Sequence, residues 1–432
     1  MNKYLRNKKT LKTCHIYAML SKSKKAKHLS FHTPGHKNPN WDITELSFSD
    51  NLSNPKGCIK QAEEDIANLL GAKRSFILTD GSTSGIFCML YALKERGVKS
   101  VAIPLSSHKS VYNACSVLGI SIHTFLMEKN ELGIEQFPPI SAIKSALDNA
   151  GALLLVSPNY YGKTADYTAI KSLCNEQGKP LLIDGAHGGH LRFNERLHPR
   201  KYADLFVDGV HKSLPSLTQG AVVSTTNEEF VTPLKKAVDI FRTTSPSYPI
   251  MASVEYAVKY PKNEKLEGLV RAFASENPLR IALHEDYTKL CVVFGKSAFD
   301  AEKYFEEKGI FAEFCDGNVI MFYLSPATTI RQFKKLVATL KKAFQAFPLQ
   351  SVRRVPAPTV AELCDGKRET ELVEINECEG RICANTCGLF PPCTPLVLRG
   401  EVVTREKIEL LKNANNTFGL QENKMSVYKV EL

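Results

Sequence analysis

The sequence predicts an α/β protein in which a large domain with a mostly parallel β-sheet precedes a smaller α+β domain. Six short runs rich in Val, Ile and Leu lack polar alternation, as strands buried on both faces do. Stretches with apolar residues at three- and four-residue spacing lie between most of these runs, and repeated strand–helix alternation is typical of a parallel sheet. After about residue 275, long charged helices around a shorter strand replace this alternation.

The predicted elements can be placed along the chain. The six strand-like runs are SFILT (75–79), SVAIP (100–104), ALLLV (152–156), PLLID (180–184), DLFVD (204–208) and GAVVS (220–224). The clearest helical patterns are CIKQAEEDIANLLGA (58–72), SGIFCMLYALKERG (84–97), SAFDAEKYFEEKG (297–309) and TTIRQFKKLVATLKKAF (328–344). We therefore expect a basic N-terminal segment at 1–36, a large domain at 37–275 and a small domain at 276–432.

Composition indicates an ordinary globular protein, with 43% hydrophobic and 23% charged residues. The apolar run nearest the N-terminus, IYAML, is far too short for a signal segment or a membrane-spanning helix. The twelve cysteines are scattered, which is typical of a reduced, cytoplasmic protein. The densest group lacks CxxC pairs, so a zinc site is not favoured; it comprises Cys378, Cys383, Cys387 and Cys393.

Positive charge is concentrated at the N-terminus. The net charge is +11, and residues 1–28 contain nine Lys or Arg residues and no acid. A nucleic-acid-binding arm is one interpretation. The segment lacks interleaved aromatic residues and a binding fold behind it, so we expect a solvated, partly helical leader and no nucleic-acid partner.

Polar segments follow five of the predicted strands, and ligands bind beyond the carboxyl ends of strands in open parallel sheets. The segment DGSTSG (80–85) precedes a helix and could bind an anion, although Ser82 or Thr83 could equally be a plain N-cap. Asp184 ends a buried strand and needs a partner there, either a salt bridge or the protonated ring nitrogen of a cofactor.

Two further residues suggest the chemistry of the site. His108 opens a helix and could cap it or stack on a planar ring, and Lys212 at a partly desolvated edge could form a Schiff base with an aldehyde. Together, the anion site, acid, flat histidine and lysine are the parts of a pyridoxal 5'-phosphate (PLP) site. A competing interpretation is a metal-dependent hydrolase, in which Asp184, His187 and His190 form a two-histidine, one-carboxylate triad.

The chain resembles the Orn/Lys/Arg decarboxylase family of PLP-dependent enzymes over most of its length. The resemblance rests on motifs that follow in the family's order: FHTPGHK (31–37), a segment at 42–72, FILTDGSTSGIFCML (76–90), SSHKS (106–110), SPNYYGKTAD (157–166), LLIDGAHGGH (181–190), VHKSLPSLTQGAVVS (210–224), TTSPSYPIMASVEYA (243–257) and EGRICANTCGLFPPCTPLVLRGE (379–401). The resemblance implies fold-type I, the aspartate aminotransferase-like fold, and a role in polyamine biosynthesis.

The resemblance also implies roles for individual residues. Lys212 would hold PLP, Asp184 would pair with its ring nitrogen, and His108 would stack on the ring. The implied cofactor-binding residues are Gly81, Ser82, Thr83, His108, Asp184, His187, His211, Lys212 and Ser245. Ser245 would approach the cofactor of a neighbouring subunit, so we expect a homodimer or a larger homo-oligomer. His36 and Arg381 are candidates for substrate binding.

The implied reaction is decarboxylation of a basic amino acid, with arginine favoured over lysine and ornithine. Lys212 or His108 would return a proton to Cα. The carboxylate that binds the substrate's distal cation is not assigned; the candidates are Asp42, Glu45, Asp50, Glu377 and Glu379. Another fold-type I activity (an aminotransferase or a lyase) and a catalytically silent homologue remain as alternatives.

The chain departs from the family's pattern at a few positions. Gly209 and Val210 stand where the family often has serine and threonine, which predicts that one phosphate contact is missing or replaced. Near the C-terminus FPPC, with Cys393, stands in place of YPPG. About 30 residues precede FHTPGHK, so we expect no N-terminal wing domain.

Overall fold

A computed structural model describes residues 5–26, 29–37, 40–352, 369–390, 395–414 and 416–429. The large domain contains the strands β1 (Arg74–Leu78), β2 (Ser100–Pro104), β3 (Ser121–Phe125), β4 (Glu128–Lys129), β5 (Glu135–Gln136), β6 (Leu153–Val156), β7 (Leu181–Gly185), β8 (Leu205–Asp208) and β9 (Ala221–Thr225). Seven of them form one sheet, in the order β1-β9-β8-β7-β6-β2-β3.

The predicted, mostly parallel sheet is confirmed. Strands β8, β7, β6, β2 and β3 are parallel neighbours, whereas β9 runs antiparallel to both β8 and β1. All six apolar runs form strands of this sheet. The seventh strand, β3, was not predicted because it lies at the edge of the sheet and buries only Phe125.

Helices cover both faces of the sheet. The helices up to residue 276 are, in chain order, α1 (Lys8–Leu11), α2 (His15–Lys25), α3 (Cys58–Leu70), α4 (Gly81–Glu95), α5 (Lys109–Leu118), α6 (Ile140–Asp148), α7 (Tyr167–Glu176), α8 (Val210–Ser213), α9 (Val231–Phe241), α10 (Tyr248–Val258) and α11 (Glu264–Glu276), and the last of these packs on the C-terminal part. One apolar cluster joins the sheet to α2, α3, α6, α7 and α10, and a second joins it to α4, α5 and α9.

The described part of the basic N-terminal segment is partly helical, as predicted, and its lysine and arginine side chains are exposed, but its apolar face packs on the large domain. Ile16 and Leu20 of α2 are fully buried in the first apolar cluster. The buried carboxylate of Glu255, on α10, accepts hydrogen bonds from the backbone N–H groups of His15 and Ile16 at 2.7 and 2.9 Å. Glu255 thus satisfies the first turn of α2, which sequence spacing alone does not reveal.

The C-terminal part has an α+β architecture, as predicted. Its strands are β10 (Ile281–Ala282), β11 (Lys289–Val293), β12 (Phe314–Cys315), β13 (Val319–Tyr323), β14 (Thr370–Glu374), β15 (Cys387–Leu389), β16 (Pro395–Val397), β17 (Thr417–Phe418), β18 (Leu420–Gln421) and β19 (Lys424–Tyr428). Its helices are α12 (Ala298–Glu307), α13 (Ile330–Ala346) and α14 (Arg405–Asn413).

These elements form two apolar clusters. The antiparallel sheet β10-β11-β13-β12 packs with α11, α12 and α13. A second cluster contains Cys378, Cys383 and Cys387, all fully buried, with α14 and the two three-stranded sheets. Cys393 and the rest of the PPC sequence lie outside the described residues. Within the described ranges, the helices are too short or too polar to cross a bilayer.

A further, small apolar cluster joins the large domain to the C-terminal part. Tyr160, after β6, packs with Cys291 of β11 and Met321 of β13. This contact brings the first residue of β11, Lys289, to the carboxyl edge of the parallel strands.

Candidate active site

A cavity of about 320 Å³ lies at the carboxyl edge of the parallel strands. Eight of the nine predicted cofactor-binding residues line it: Gly81, Ser82, Thr83, His108, Asp184, His187, His211 and Lys212. The strand exits therefore meet at one edge of the sheet.

The N-terminus of α4 forms one wall of the cavity. Gly81 has a φ of +78°, a conformation that favours glycine, and its N–H donates to the carbonyl oxygen of Gln219 at 2.8 Å. Ser82 and Thr83 follow in the first turn of this 15-residue helix, where backbone N–H groups and the helix dipole attract anions. His211 also lines the cavity, and its Nδ1 bonds the carbonyl oxygen of Gly220 at 2.9 Å.

The departure at Gly209 has a steric cause. A Cβ atom at Gly209 would lie 2.2 Å from the carbonyl oxygen of Ala186, so a serine does not fit unless the backbone moves. Val210 is buried in the apolar cluster below the site. Another hydroxyl, that of Thr218, belongs to a residue that lines the cavity, and sequence reasoning missed it.

Asp184 is the buried carboxylate of the site. It lies near the end of β7, is 3% exposed, and accepts one hydrogen bond from the backbone N–H of Ala186 at 3.0 Å. Burial raises its pKa above the ordinary range. A buried carboxylate at a cavity wall is suited to a cationic ring nitrogen, because pairing offsets the cost of burying its charge.

His108 both caps a helix and lines the cavity. Its Nδ1 accepts the backbone N–H of Ser110 at 3.1 Å, at the start of α5, and lies 2.8 Å from the Ser110 hydroxyl. Burial and the charges of Lys212 and Lys109 lower the pKa of His108 to about 4. The ring is therefore neutral at physiological pH and carries its proton on Nε2.

Lys212 and His187 are in direct contact. The Nζ of Lys212 lies 3.1 Å from the Nε2 of His187, and the opposite ring nitrogen, Nδ1, lies 2.8 Å from the Nζ of Lys289. The rings of Tyr160 and Tyr323 pack around the imidazole at centroid distances of 4.8 and 5.6 Å. Burial and the charges of both lysines hold the pKa of His187 well below its ordinary value.

The predicted alternative metal centre is not formed. His187 is bonded to two lysines, and the Nε2 of His190 is bonded to Asp286 at 2.7 Å instead of turning towards Asp184. Among the described residues, the three-residue group that brings potential ligand atoms together is His15, Asp65 and Glu255. The amine of Lys259 bonds both of those carboxylates, so this group is an ion-pair network.

Three of the predicted residues lie away from the cavity of this chain. His36 bonds Asp42 through its Nε2 at 3.1 Å, and Arg381 donates to Glu371 and to the carbonyl oxygen of Tyr428. Ser245 is exposed in the loop before α10.

Sequence reasoning missed the carboxylate that does line the cavity. Glu313, directly before β12, is half-buried and is the cavity's second acidic residue beside Asp184. In this chain, none of the five predicted carboxylates lines the cavity, and Asp50 instead accepts backbone N–H groups at the start of α3. The one feature of the sequence that could have indicated Glu313 is its position directly before the buried strand β12, which pairs with β13.

The fold and the lining residues define a class of protein. An amine, a buried carboxylate, a neutral flat ring and a helix N-terminus around one cavity fit the aldehyde, ring nitrogen, ring face and phosphate of PLP. In the search of solved structures, the chain is similar to the constitutive lysine decarboxylase of E. coli (TM-score 0.74, 17% identity, 97% of this chain and 82% of that chain). It is also similar to the serine palmitoyltransferase of Sphingomonas wittichii (TM-score 0.57, 14% identity, 77% and 84%). Both likenesses show the fold.

The sequence comparisons identify the family. The family described as Orn/Lys/Arg decarboxylase matches through its major domain at residues 40–284 and through its C-terminal domain at residues 337–419. A curated relative named arginine decarboxylase, from Bacillus subtilis (strain 168), is 28% identical over 92% of each chain. Another relative from the same organism, the uncharacterized protein YaaO, is 28% identical over 91% of this chain and 92% of its own. The chain belongs to the Orn/Lys/Arg decarboxylase family and is a PLP-dependent amino-acid decarboxylase.

Proposed function

We propose that this enzyme decarboxylates arginine, with lysine and ornithine as weaker substrates, and releases the corresponding amine and CO2. The observation that carries the choice of a basic substrate is the carboxylate of Glu313 in the cavity that holds Lys212. Relatives named arginine decarboxylase support the order of preference.

The surroundings of Glu313 suit a ligand cation. Within the described part of the chain, no hydrogen bond or ion pair occupies its carboxylate, and the residue is half-buried. A carboxylate accepts a planar guanidinium through two parallel hydrogen bonds, whereas it meets an ammonium group as a point charge. Glu313 therefore favours arginine among the three basic amino acids.

The proposed chemistry divides between the cofactor and the chain. When bound, PLP supplies an electron sink for the electron pair that remains on Cα when CO2 leaves. Asp184 would hold a proton at the ring nitrogen, and His108, a neutral imidazole, would face the ring. Ser82, Thr83 and the N-terminus of α4 would bind the phosphate, together with Thr218. Lys212 binds the cofactor and, with His108, is positioned to return a proton to Cα.

We also propose that the active unit is at least a homodimer. Ser245 is exposed in this chain. Its loop is joined to the N-terminus of α4, because the backbone N–H of Thr243 donates to the carboxylate of Asp80 at 3.2 Å. A partner's loop of the same kind would close the open side of the cavity.

A substrate panel tests the proposal. The purified holoenzyme is supplied separately with arginine, lysine, ornithine and a neutral amino acid, and CO2, amine and keto-acid products are measured. We expect CO2 and agmatine from arginine at the highest kcat/KM, with no turnover of the neutral amino acid. Keto-acid formation without CO2 would instead show an aminotransferase on the same cofactor site.

A further inference from the structure

We propose that Lys289 is a positioning residue for Lys212: it acts through the ring of His187, which it holds in the tautomer whose Nε2–H faces the Lys212 amine. This inference rests on the assignment of Lys212 as the cofactor lysine. It adds a residue of the small domain to a site whose other cofactor residues come from the large domain.

The burial of Lys289 calls for an explanation. Its side chain is fully buried at the start of β11, although lysine is among the residues least often buried. Among the described residues, no carboxylate forms an ion pair with it. Its amine contacts the His187 ring at 2.8 Å and lies 4.3 Å from the centroid of the Tyr323 ring. A buried amine without an ion pair is costly, which favours a role at the imidazole.

The hydrogen-bonding capacities allow two directions for this chain of contacts, since either lysine can be the donor, and in the proposed one Lys289 is the charged donor. An ammonium group has donors only, so a charged Lys289 donates to Nδ1 of His187. The neutral imidazole then carries its one proton on Nε2, which lies 3.1 Å from the Nζ of Lys212. To accept that proton, Lys212 has to present a lone pair, and this is the neutral amine.

The neutral amine is the reactive form. Lys212 joins an aldehyde only through its lone pair, which forms the new C–N bond. The aldehyde oxygen leaves as water and takes the two amine protons. A contact that favours the free amine therefore prepares Lys212 to capture the cofactor.

Several titratable groups face Lys289 and His187. Lys289 faces Asp286, Glu313, Cys291 and Lys212, and burial lowers its pKa to about 8, against the opposing effect of the two acids. Asp286 is itself engaged by His190 and by the hydroxyl of Thr288. His187 also faces His108 and His211. Each of these groups adds to the field, but Lys289 alone contacts Nδ1.

The ring of His187 is held on several sides. The backbone carbonyl oxygen of His187 accepts a hydrogen bond from the Tyr323 hydroxyl at 3.1 Å, and the rings of these two residues are stacked. The imidazole follows β7 of the large domain, whereas Lys289 and Tyr323 belong to the small domain. The packing of the small domain on the large one therefore sets the orientation of the residue that touches Lys212.

The first test measures the tautomer in the unaltered protein. Full-length apoprotein with 15N-labelled histidine is studied by NMR near pH 7, and the His187 signals are assigned by their loss in His187→Gln. We expect a neutral ring protonated on Nε2. A ring protonated on Nδ1, or on both nitrogens, would overturn the proposal, and the variant serves only to assign the signals of the unaltered protein.

The second test measures cofactor capture in Lys289→Met. We expect the rate of PLP capture by the full-length apoprotein to fall at least tenfold at pH 7, and the deficit to shrink above about pH 10, where lysine amines lose their proton unaided. Lys407→Met is the matched control, because Lys407 is also fully buried but pairs with Glu401 away from the cavity. A wild-type rate in Lys289→Met, with intact circular dichroism, would contradict the inference.

A separate measurement keeps this inference distinct from the cofactor assignment. Borohydride reduction of the wild-type holoenzyme, followed by peptide mapping, locates the modified lysine. A label on Lys212 with an unaffected Lys289→Met rate rejects the inference alone. A label on another lysine rejects the assignment on which the inference rests.

Discussion

The carbonyl oxygen of Ala186 lies 2.2 Å from the position that a Cβ atom would take at Gly209. The end of β8 therefore approaches the loop after β7 too closely for any side chain. This contact is a steric reason for glycine at a position where the family often has a serine.

We expect Gly209→Ser to destabilise the protein, because the new side chain would be forced against a backbone carbonyl. Overpacking of this kind typically costs about 1–3 kcal/mol. The free energy of unfolding, measured by urea denaturation, should therefore fall by at least about 1 kcal/mol. Gly268→Ala is the control, since nothing lies within 4 Å of a Cβ atom at that helical position. Equal stability of the two variants would show that the approach at Ala186 is easily relieved.

Asp184→Asn should separate stability from catalysis. Because burial raises the pKa of Asp184, its charge costs stability as pH rises from the ordinary carboxyl range through the raised value. The variant should therefore make the apoprotein more stable at pH 7, and this advantage should disappear at acid pH, where the wild-type carboxyl is protonated. Thermal unfolding of both apoproteins across pH measures this effect.

The same variant should lose activity. Removing a charge that stabilises the reacting state typically costs about 100–1,000-fold in kcat. The matched control is Asp166→Asn, because Asp166 caps α7 outside the cavity and asparagine caps equally well. If Asp184→Asn kept wild-type kcat with bound cofactor, Asp184 would not serve the ring nitrogen.

Glu313→Gln should weaken recognition of the substrate's distal cation. Loss of a charge-assisted hydrogen bond of about 1.5–3 kcal/mol corresponds to a roughly 10- to 100-fold lower kcat/KM for arginine, mainly through KM. The absorbance of the bound cofactor should remain unchanged. Glu45→Gln, which alters an exposed carboxylate outside the cavity, should leave the kinetics as they are. A KM for arginine that is the same in Glu313→Gln and in the wild type would place the cation elsewhere.

Much of the large domain could be predicted because its strands are buried on both faces and leave continuous apolar runs. The edge strand β3 escaped prediction since its residues face solvent on one side, and the antiparallel direction of β9 has no local signature. The packing of α2 was missed for a related reason: its partner, Glu255, lies about 240 residues away.

The residues of the candidate site also fall into a group that the sequence predicts and a group that it does not. Lys212, Asp184 and His108 follow predicted strands, so the rule for parallel sheets brings them to one edge. Glu313 and Lys289 reach the cavity from the small domain, and only the packing of Tyr160 on β11 and β13 places them there. No pattern near either residue encodes that contact.

The central claim is that Lys212 binds the cofactor. The most direct measurement is a visible spectrum of the purified protein with borohydride reduction and peptide mapping, alongside Lys212→Ala. We predict a yellow chromophore in the wild type, a reduced cofactor attached to the peptide that contains Lys212, and no such absorbance in the variant. A colourless wild-type protein after incubation with PLP, or a cofactor attached to another lysine, would contradict the account.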